Sequence, residues 1–156
     1  MKTVFKQFLL AGSILAVLSS SALATGGFSC EVDDKNLKLD VSSALGSGMG
    51  APIINLKAES IVKLKGTPSD LVKLDLSKSL VHSWMDSPDL RLYFYSEREG
   101  NGPHGYVEII ITAKYVGDEG EAKGNYRLTA FYTEPTADKI EGTSLKAKGK
   151  VSCSVE

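Results

Sequence analysis

Alternation of apolar and polar side chains is the strongest pattern along this chain. Between residues 54 and 64 the even positions are mostly apolar, among them Ile54, Leu56 and Val62, whereas the odd positions carry several lysine and glutamate side chains. Residues 145–155 repeat this alternation, with Leu145 and Val151 on the apolar side. A period of two predicts β-strands with one buried face, because successive side chains of a strand point to opposite sides of the sheet.

Shorter alternating runs predict further strands. They lie at residues 28–33, 36–44, 71–76, 90–97, 106–116 and 126–134. Turn signals such as Gly66-Thr67-Pro68 separate the runs. About eight strands at this spacing predict an all-β fold, either an antiparallel sandwich or an up-and-down barrel. Residues 79–86, around Trp84, fit either another strand or one helical turn.

The register of the predicted strands follows from the requirement that apolar faces coincide. A slip of one residue would turn every side chain of a strand to the opposite face. The pairing that best separates apolar from polar positions sets Cys30 opposite Leu39, Leu92 opposite Ile109, and Ala113 opposite Leu128. It assumes a tight first hairpin that turns on Asp34 and Lys35.

The reverse face of the second half is less polar than a solvated sheet face should be. It carries five residues that we call the aromatic stripe: Tyr93, Tyr95, Tyr106, Ile110 and Phe131. In the same pairing Tyr95 lies opposite Tyr106, and Ile110 lies opposite Phe131. An exposed stripe of this composition predicts an interaction surface. The alternatives are that another segment, such as the one around Trp84, covers this face, or that the register differs.

The first 24 residues have the features of a secretory signal peptide. Lys2 and Lys6 precede an apolar run of about eleven residues, at positions 8–18, and Ala22-Leu23-Ala24 provides a small-x-small cleavage site. A membrane-spanning helix needs roughly twenty apolar residues. We therefore expect cleavage after Ala24, a single all-β domain at residues 25–156, and a periplasmic or extracellular location without a membrane span.

Two cysteines, Cys30 and Cys153, remain in the predicted domain. In an oxidising compartment, two cysteines at opposite ends of one domain are expected to form a disulfide. The bridge would join the first and last strands, and the chain-entropy model gives such a long loop about 5 kcal/mol of stabilisation. Two free thiols or an intermolecular bridge are the alternatives.

Charge argues against nucleic acid as a partner. Without Lys2 and Lys6 the 18 basic residues fall to 16, against 19 acidic residues, and the charges are mixed along the chain. A protein that binds nucleic acid through its phosphates would instead show a clustered basic excess.

Motifs for catalysis or for a cofactor are not found in the sequence. His82 and His104 lack the spacing of zinc ligands, and the glycine-rich residues 46–50 place Gly48 where a nucleophilic serine would stand. Asp118, Glu119 and Glu121 crowd one predicted turn, where solvated charge or a calcium ion are both compatible with the sequence. We therefore expect no catalytic residue, no metal ligand and no cofactor.

These observations favour an exported, non-enzymatic protein that binds an unknown protein through the aromatic stripe. One alternative is a small barrel that carries a small apolar ligand in its interior. Another is a hydrolase whose site is assembled from scattered residues, with His82, Asp86 and His104 as the acid–base groups. No motif of the sequence assigns it to a family.

Overall fold

A computed structural model describes residues 26–46, 53–86, 88–100, 102–115, 120–135 and 140–155. The predicted signal peptide, at residues 1–24, lies outside these ranges. The described residues form nine strands and one 3-10 turn, η1. The strands are β1 (Gly27–Asp33), β2 (Leu37–Leu45), β3 (Ile53–Val62), β4 (Lys73–Asp75), β5 (Leu80–Asp86), β6 (Asp89–Glu97), β7 (Gly105–Tyr115), β8 (Glu121–Pro135) and β9 (Ile140–Val155), and η1 is Ser69–Leu71.

All nine strands belong to one antiparallel sheet. Its order is β4-β3-β2-β1-β9-β8-β7-β6-β5, so that the first and last strands of the chain pair in the middle. Because every neighbouring pair is antiparallel, the two terminal strands, β4 and β5, point in the same direction. Only residues 76–79 separate them in the chain, and the backbone amide of Ser79 donates to the carbonyl of Leu76 at 2.9 Å.

The sheet curls into a half-barrel that stays open between β4 and β5. β4 pairs with β3 and β5 pairs with β6, but among the residues that the structure describes no ladder joins the two sides. The all-β, antiparallel prediction is confirmed, whereas the prediction of a closed barrel or a sandwich of about eight strands is wrong. The physical reason is that the run from Lys73 to Asp86 changes neighbour at its turn. Its first part, β4, pairs with β3, and its second part, β5, pairs with β6.

The strand positions were predicted better than the register. Most of the segment 79–86 forms β5 (Leu80–Asp86), and the strand expected at 71–76 is reduced to β4 by η1. Cys30 faces Val41 instead of Leu39, and Leu92 faces Ile111 instead of Ile109. These shifts of two residues keep each side chain on the predicted face.

The first hairpin shows why the register shifts. Its turn is longer than expected, because the carboxylate of Asp34 accepts hydrogen bonds from the backbone amides of Asn36 at 2.7 Å and Leu37 at 2.9 Å. An aspartate that bonds the amides ahead of it stabilises such a turn. In the β7–β8 hairpin, β8 begins five residues earlier than predicted, at Glu121, and Ala113 therefore faces Gly124 rather than Leu128.

The core consists of the side chains on the inner face of the curled sheet. Curling brings apolar side chains of most strands into one buried cluster, against which partly buried side chains of β4 and β5 pack. Its largest fully buried members include Phe94, Leu39, Ile109 and Tyr126. Each such side chain stabilises the fold by roughly 1.5–3 kcal/mol relative to an exposed one.

Cys30 and Cys153 lie directly opposite each other on β1 and β9, and the disulfide between them is present. Both cysteines are buried, in agreement with their predicted place on the apolar faces of the first and last strands. The bridge fixes the centre of the sheet and is consistent with an oxidising compartment.

The segment between β3 and β4 covers one end of the half-barrel. Leu71 of η1 is buried, and η1 contacts β7. Arg98, just after β6, donates from Nε at 2.5 Å and from Nη2 at 3.2 Å to the carboxylate of Asp70, and from Nη1 to the carbonyl of Pro103. The hydrogen bonds from Arg98 hold the pKa of Asp70 below its ordinary value, although partial burial acts in the opposite direction.

Candidate interaction surface

The aromatic stripe lies on the outer face of the sheet, opposite to the core. Tyr93 and Tyr95 belong to β6, Tyr106 and Ile110 to β7, and Phe131 to β8. Their neighbours in each strand, such as Phe94 and Ile109, are fully buried, so alternation turns the stripe outward. All five side chains are partly exposed and lie on three consecutive strands.

The partners within the stripe differ from the predicted ones. Tyr95 faces Glu108 rather than Tyr106, and Ile110 faces Arg127 rather than Phe131. The cause is the shift of two residues between β6 and β7 and of four residues between β7 and β8. Tyr106 instead lies directly opposite Phe131.

The rings nevertheless form one cluster. The ring centroids of Tyr106 and Phe131 are 5.3 Å apart with an interplanar angle of 25°, and those of Tyr95 and Tyr106 are 5.1 Å apart with an angle of 31°. Tyr106 therefore contacts a stacked ring on one side and a tilted ring on the other. Each such pair contributes about 0.5–1.5 kcal/mol beyond its area burial, which holds the cluster in place before any partner binds.

His104 joins this cluster, which the sequence did not indicate. Its ring centroid lies 5.7 Å from that of Tyr106 and 5.7 Å from that of Phe131. Its Nδ1 is 3.0 Å from Oε1 of Glu97 on β6. Since His104 precedes β7 in a loop, only its nearness in sequence to Tyr106 hinted at this position.

Burial, hydrogen bonding and charge act on two tyrosines of the stripe, Tyr93 and Tyr95. The hydroxyl of Tyr93 donates to Oε2 of Glu108 at 3.0 Å. Partial burial, and then this hydrogen bond to Glu108, raise the pKa of Tyr93 above its ordinary value. Partial burial, and then the charge of Glu97, raise the pKa of Tyr95 as well. Both phenols therefore stay protonated at neutral pH.

A groove with several cationic side chains runs beside the ring cluster. It has a volume of about 530 Å³ and is lined by Glu108, Ile110, Arg127, Thr129, Lys146 and Lys148, together with Leu128 and Ala147. Ile110 faces Arg127, and Arg127 faces Lys148 across the β8–β9 ladder. The alternating lysines of β9 were visible in the sequence, but their place beside the stripe depends on β9 pairing with β8.

β5 extends the outer face and does not cover it. His82 lies opposite Tyr93, and Trp84 lies opposite Arg91, on the strand next to β6. Trp84 is 51% exposed. The alternative in which the Trp84 segment packs over the stripe is therefore wrong, because that segment is an edge strand of the same sheet.

The structure does not bring the two histidines together. His82 lies beside Tyr93, whereas His104 contacts Glu97, four positions further along β6 and about 13 Å away at the rise of a strand. Within the described ranges, no group of three or more His, Cys, Asp or Glu side chains could hold a metal ion. The glycine-rich residues 47–50 and the turn residues Asp118 and Glu119 lie outside those ranges.

Comparison with known proteins returned no match: no family model, no curated protein and no solved structure is significantly similar to this chain. The part of the chain that the structure describes also contains no helix with the length and apolar character needed to cross a membrane. Function must therefore be argued from the geometry of the outer face.

Proposed function

We propose that this chain is an exported, non-enzymatic binding protein that works in the periplasm or outside the cell. Its contact surface is the aromatic stripe: Tyr93, Tyr95, Tyr106, Ile110 and Phe131. The disulfide and the predicted signal peptide support export. The observation that carries the binding role is that all five side chains share the outer face and remain partly exposed.

The composition of this surface suits a protein partner. Tyrosine, tryptophan and arginine are the residues that most often carry binding energy at protein interfaces, and phenylalanine is enriched there as well. The outer face of β5–β8 combines the stripe with Trp84, Arg91 and Arg127. Because neighbouring rings already hold Tyr106 in place, little conformational entropy is lost when a partner covers it.

The test is a comparison of three baits in an envelope extract from the organism that makes the protein. The double variant Tyr95→Ser/Ile110→Ser removes an aromatic ring and an apolar side chain from the centre of the stripe. We expect every partner other than a second copy of this chain to be lost. The melting temperature should fall only slightly, through the lost ring contact of Tyr95 with Tyr106, because both residues lie outside the core cluster.

The matched control is Ser42→Ala/Lys57→Ser, on exposed positions of the outer face of β2 and β3. It should capture the same proteins as the wild type. Partners other than a second copy of this chain that survive the Tyr95→Ser/Ile110→Ser change would reject the stripe as the contact surface. A large drop in the melting temperature of the Tyr95→Ser/Ile110→Ser variant would show that these two residues stabilise the fold.

The groove beside the stripe favours a second candidate, a small ligand. Its volume of about 530 Å³ is within the range of small-molecule sites, and Ile110 with Arg127, Lys146 and Lys148 would suit an apolar body that carries an anionic group. In the interior, where the sequence-based alternative placed an apolar ligand, the side chains of the core cluster pack together. The anionic dye anilinonaphthalene sulfonate is a suitable probe: we expect its fluorescence to rise with the wild type and to fall with Arg127→Ala.

A further inference from the structure

The sheet has a free edge at β5. This strand pairs with β6 on one side, and in the described ranges no other strand pairs with its second side. The other terminal strand, β4, is only three residues long and carries Lys73 and Asp75. Short length and charged side chains usually prevent an edge strand from pairing with a strand of another chain, and β4 has both.

β5 lacks these protections. Its seven residues, LVHSWMD, contain no lysine, no arginine and no proline, and Asp86 is its only acidic side chain. The most exposed large apolar side chains of the described residues are both on this strand: Val81 is 60% and Trp84 is 51% exposed. A long edge with exposed apolar side chains is a template for pairing with another strand.

We propose that β5 pairs in antiparallel fashion with β5 of a second copy of this chain, about a two-fold axis at Trp84. In this register Trp84 lies opposite Trp84 of the second copy, and His82 lies opposite Asp86 of the second copy. All three side chains project on the outer face, where His82 lies beside Tyr93 and Trp84 beside Arg91. The bulge between Leu80 and His82 ends the regular edge and limits the pairing to residues 82–86.

The chemistry of the strand fits its own copy. Within one chain Asp86 faces another carboxylate, Asp89, which has Arg91 at 4.0 Å and Lys114 at 3.8 Å as its own cationic neighbours. Like charges directly opposite each other are unfavourable. In the dimer, His82 of each copy lies opposite Asp86 of the other copy. The pairing therefore contains two such His–Asp pairs, one at each of its ends. At the centre two indole rings meet, and aromatic pairs across strands are favourable. An isologous contact of this kind closes at two copies and leaves no further free β5 edge.

The pairing does not depend on the stripe as a binding surface. It would set the outer faces of two sheets side by side, with an aromatic stripe on each side of the axis. The variant Tyr95→Ser/Ile110→Ser should therefore keep the dimer. Loss of its partners with an intact dimer would separate the two proposals.

Cross-linking tests the register directly. Residues directly opposite each other in antiparallel strands have Cα atoms about 4.5–5.5 Å apart, within the range that a disulfide spans. Both cysteines of the described residues are bridged, so Trp84→Cys would add one free thiol. We expect mild oxidation to convert this variant into a covalent dimer. Thr112→Cys, exposed in the same ladder row but two strands from the edge, is the matched control and should remain a single chain.

Sedimentation equilibrium of the wild type, without the predicted signal peptide, tests the same contact without a new cysteine. The mass should rise from one copy to two across the micromolar range, and the emission of Trp84, the only tryptophan, should shift to shorter wavelength in parallel. Trp84→Lys places two ammonium groups across the axis and should weaken dimerisation at least about tenfold. A single copy at every concentration, or equal cross-linking of Trp84→Cys and Thr112→Cys, would overturn the proposal.

Discussion

The outer face of this sheet has two halves with opposite chemistry. On β6–β8 it carries the aromatic stripe. On β1–β4 one ladder row places four carboxylates side by side, and this acidic row consists of Glu31, Asp40, Glu59 and Asp75. All four are exposed, and the adjacent row contains Ser29, Ser42 and Lys57.

The inner face shows no such difference. Leu37 and Leu39 on one half are as fully buried as Ile109 and Phe94 on the other. The fold requires apolar side chains on the inner face of every strand, but it requires nothing in particular of the outer face. Charged side chains such as those of the acidic row are ordinary on a sheet face that contacts water. Packing of the core, in contrast, does not require the aromatic stripe on the outer face. This contrast is why the proposed binding surface is on β6–β8.

The two halves meet at β1 and β9, where Cys30 faces Cys153. The largest expected effect is therefore the loss of this bridge, which closes a sequence separation of 123 residues. Cys30→Ala/Cys153→Ala should lower the free energy of unfolding by about 2–5 kcal/mol. Urea unfolding of the variant and of the wild type measures this loss.

The same experiment tests whether the halves fold as one unit. Trp84 fluorescence reports on the β5–β8 half, while circular dichroism reports on all strands. Because one core cluster spans both halves, we expect the two signals to change together even without the bridge. Two separate transitions would mean that the halves are held together chiefly by the disulfide.

A hydrogen bond between Tyr126 and Asp34 also joins the two halves. The phenol of Tyr126 on β8 donates at 2.6 Å to Oδ2 of Asp34 in the β1–β2 turn. A Cβ atom at Gly149 would overlap both side chains, so the glycine leaves the space for this contact. Partial burial acts to raise the pKa of Asp34, but the hydrogen bonds from Tyr126, Asn36 and Leu37 outweigh it and leave the pKa below its ordinary value.

Tyr126→Phe should lower the free energy of unfolding at neutral pH by about 1–3 kcal/mol, because Asp34 loses a donor in a partly buried place. Burial, and then the hydrogen bond to Asp34, raise the pKa of Tyr126 from 10.0 to about 12. Between these pH values the unfolded chain has released the phenolic proton while the folded chain retains it, so the stability of the wild type falls as pH rises.

For Tyr126 alone the alkaline loss is about 3 kcal/mol. Unfolding measured from pH 9 to pH 12 should therefore show the wild type and Tyr126→Phe converging. A gap that stays constant over this range would contradict the raised pKa of Tyr126. Gly149→Ala provides a second way to disturb the contact without removing a polar group, and it should destabilise at every pH.

The sequence predicted those features that depend on alternation, and it missed those that depend on turns. The face on which each residue lies was predictable, because a register shift of two or four residues leaves every side chain on the same face of the sheet. The partners of Tyr95 and Ile110 were not predictable, because the turn at Asp34 and the early start of β8 at Glu121 set the register. The opening between β4 and β5 depends on the short turn at residues 76–79, between the strand predicted at 71–76 and the segment 79–86, which fitted either a strand or one helical turn.

The residues of the candidate site likewise fall into those that alternation predicts and those that depend on strand pairing or on a loop. The five residues of the aromatic stripe follow from alternation alone. The groove of Arg127, Lys146 and Lys148 needs the pairing of β8 with β9, and the contact of His104 with Tyr106 needs the path of a loop. The acidic row was also beyond the sequence, since its members come from four strands whose order had to be known.

The smallest expected effect concerns this acidic row. Asp40 lies between Glu31 and Glu59, directly opposite both. Like charges in such positions are unfavourable, and opposite charges are favourable by about 0.2–1 kcal/mol per pair. Asp40→Lys should therefore raise the free energy of unfolding slightly at low salt, and Asp40→Asn should raise it less.

Salt separates this electrostatic effect from a change in packing. At 1 M salt the Debye length falls to about 3 Å, which is less than the spacing of side chains on neighbouring strands. The gain from Asp40→Lys should then nearly disappear, whereas a change in strand propensity would remain. A gain of equal size at both salt concentrations would mean that the carboxylates of the row do not repel one another. The acidic row would then carry no electrostatic cost, and the contrast between the two halves would rest on the aromatic stripe alone.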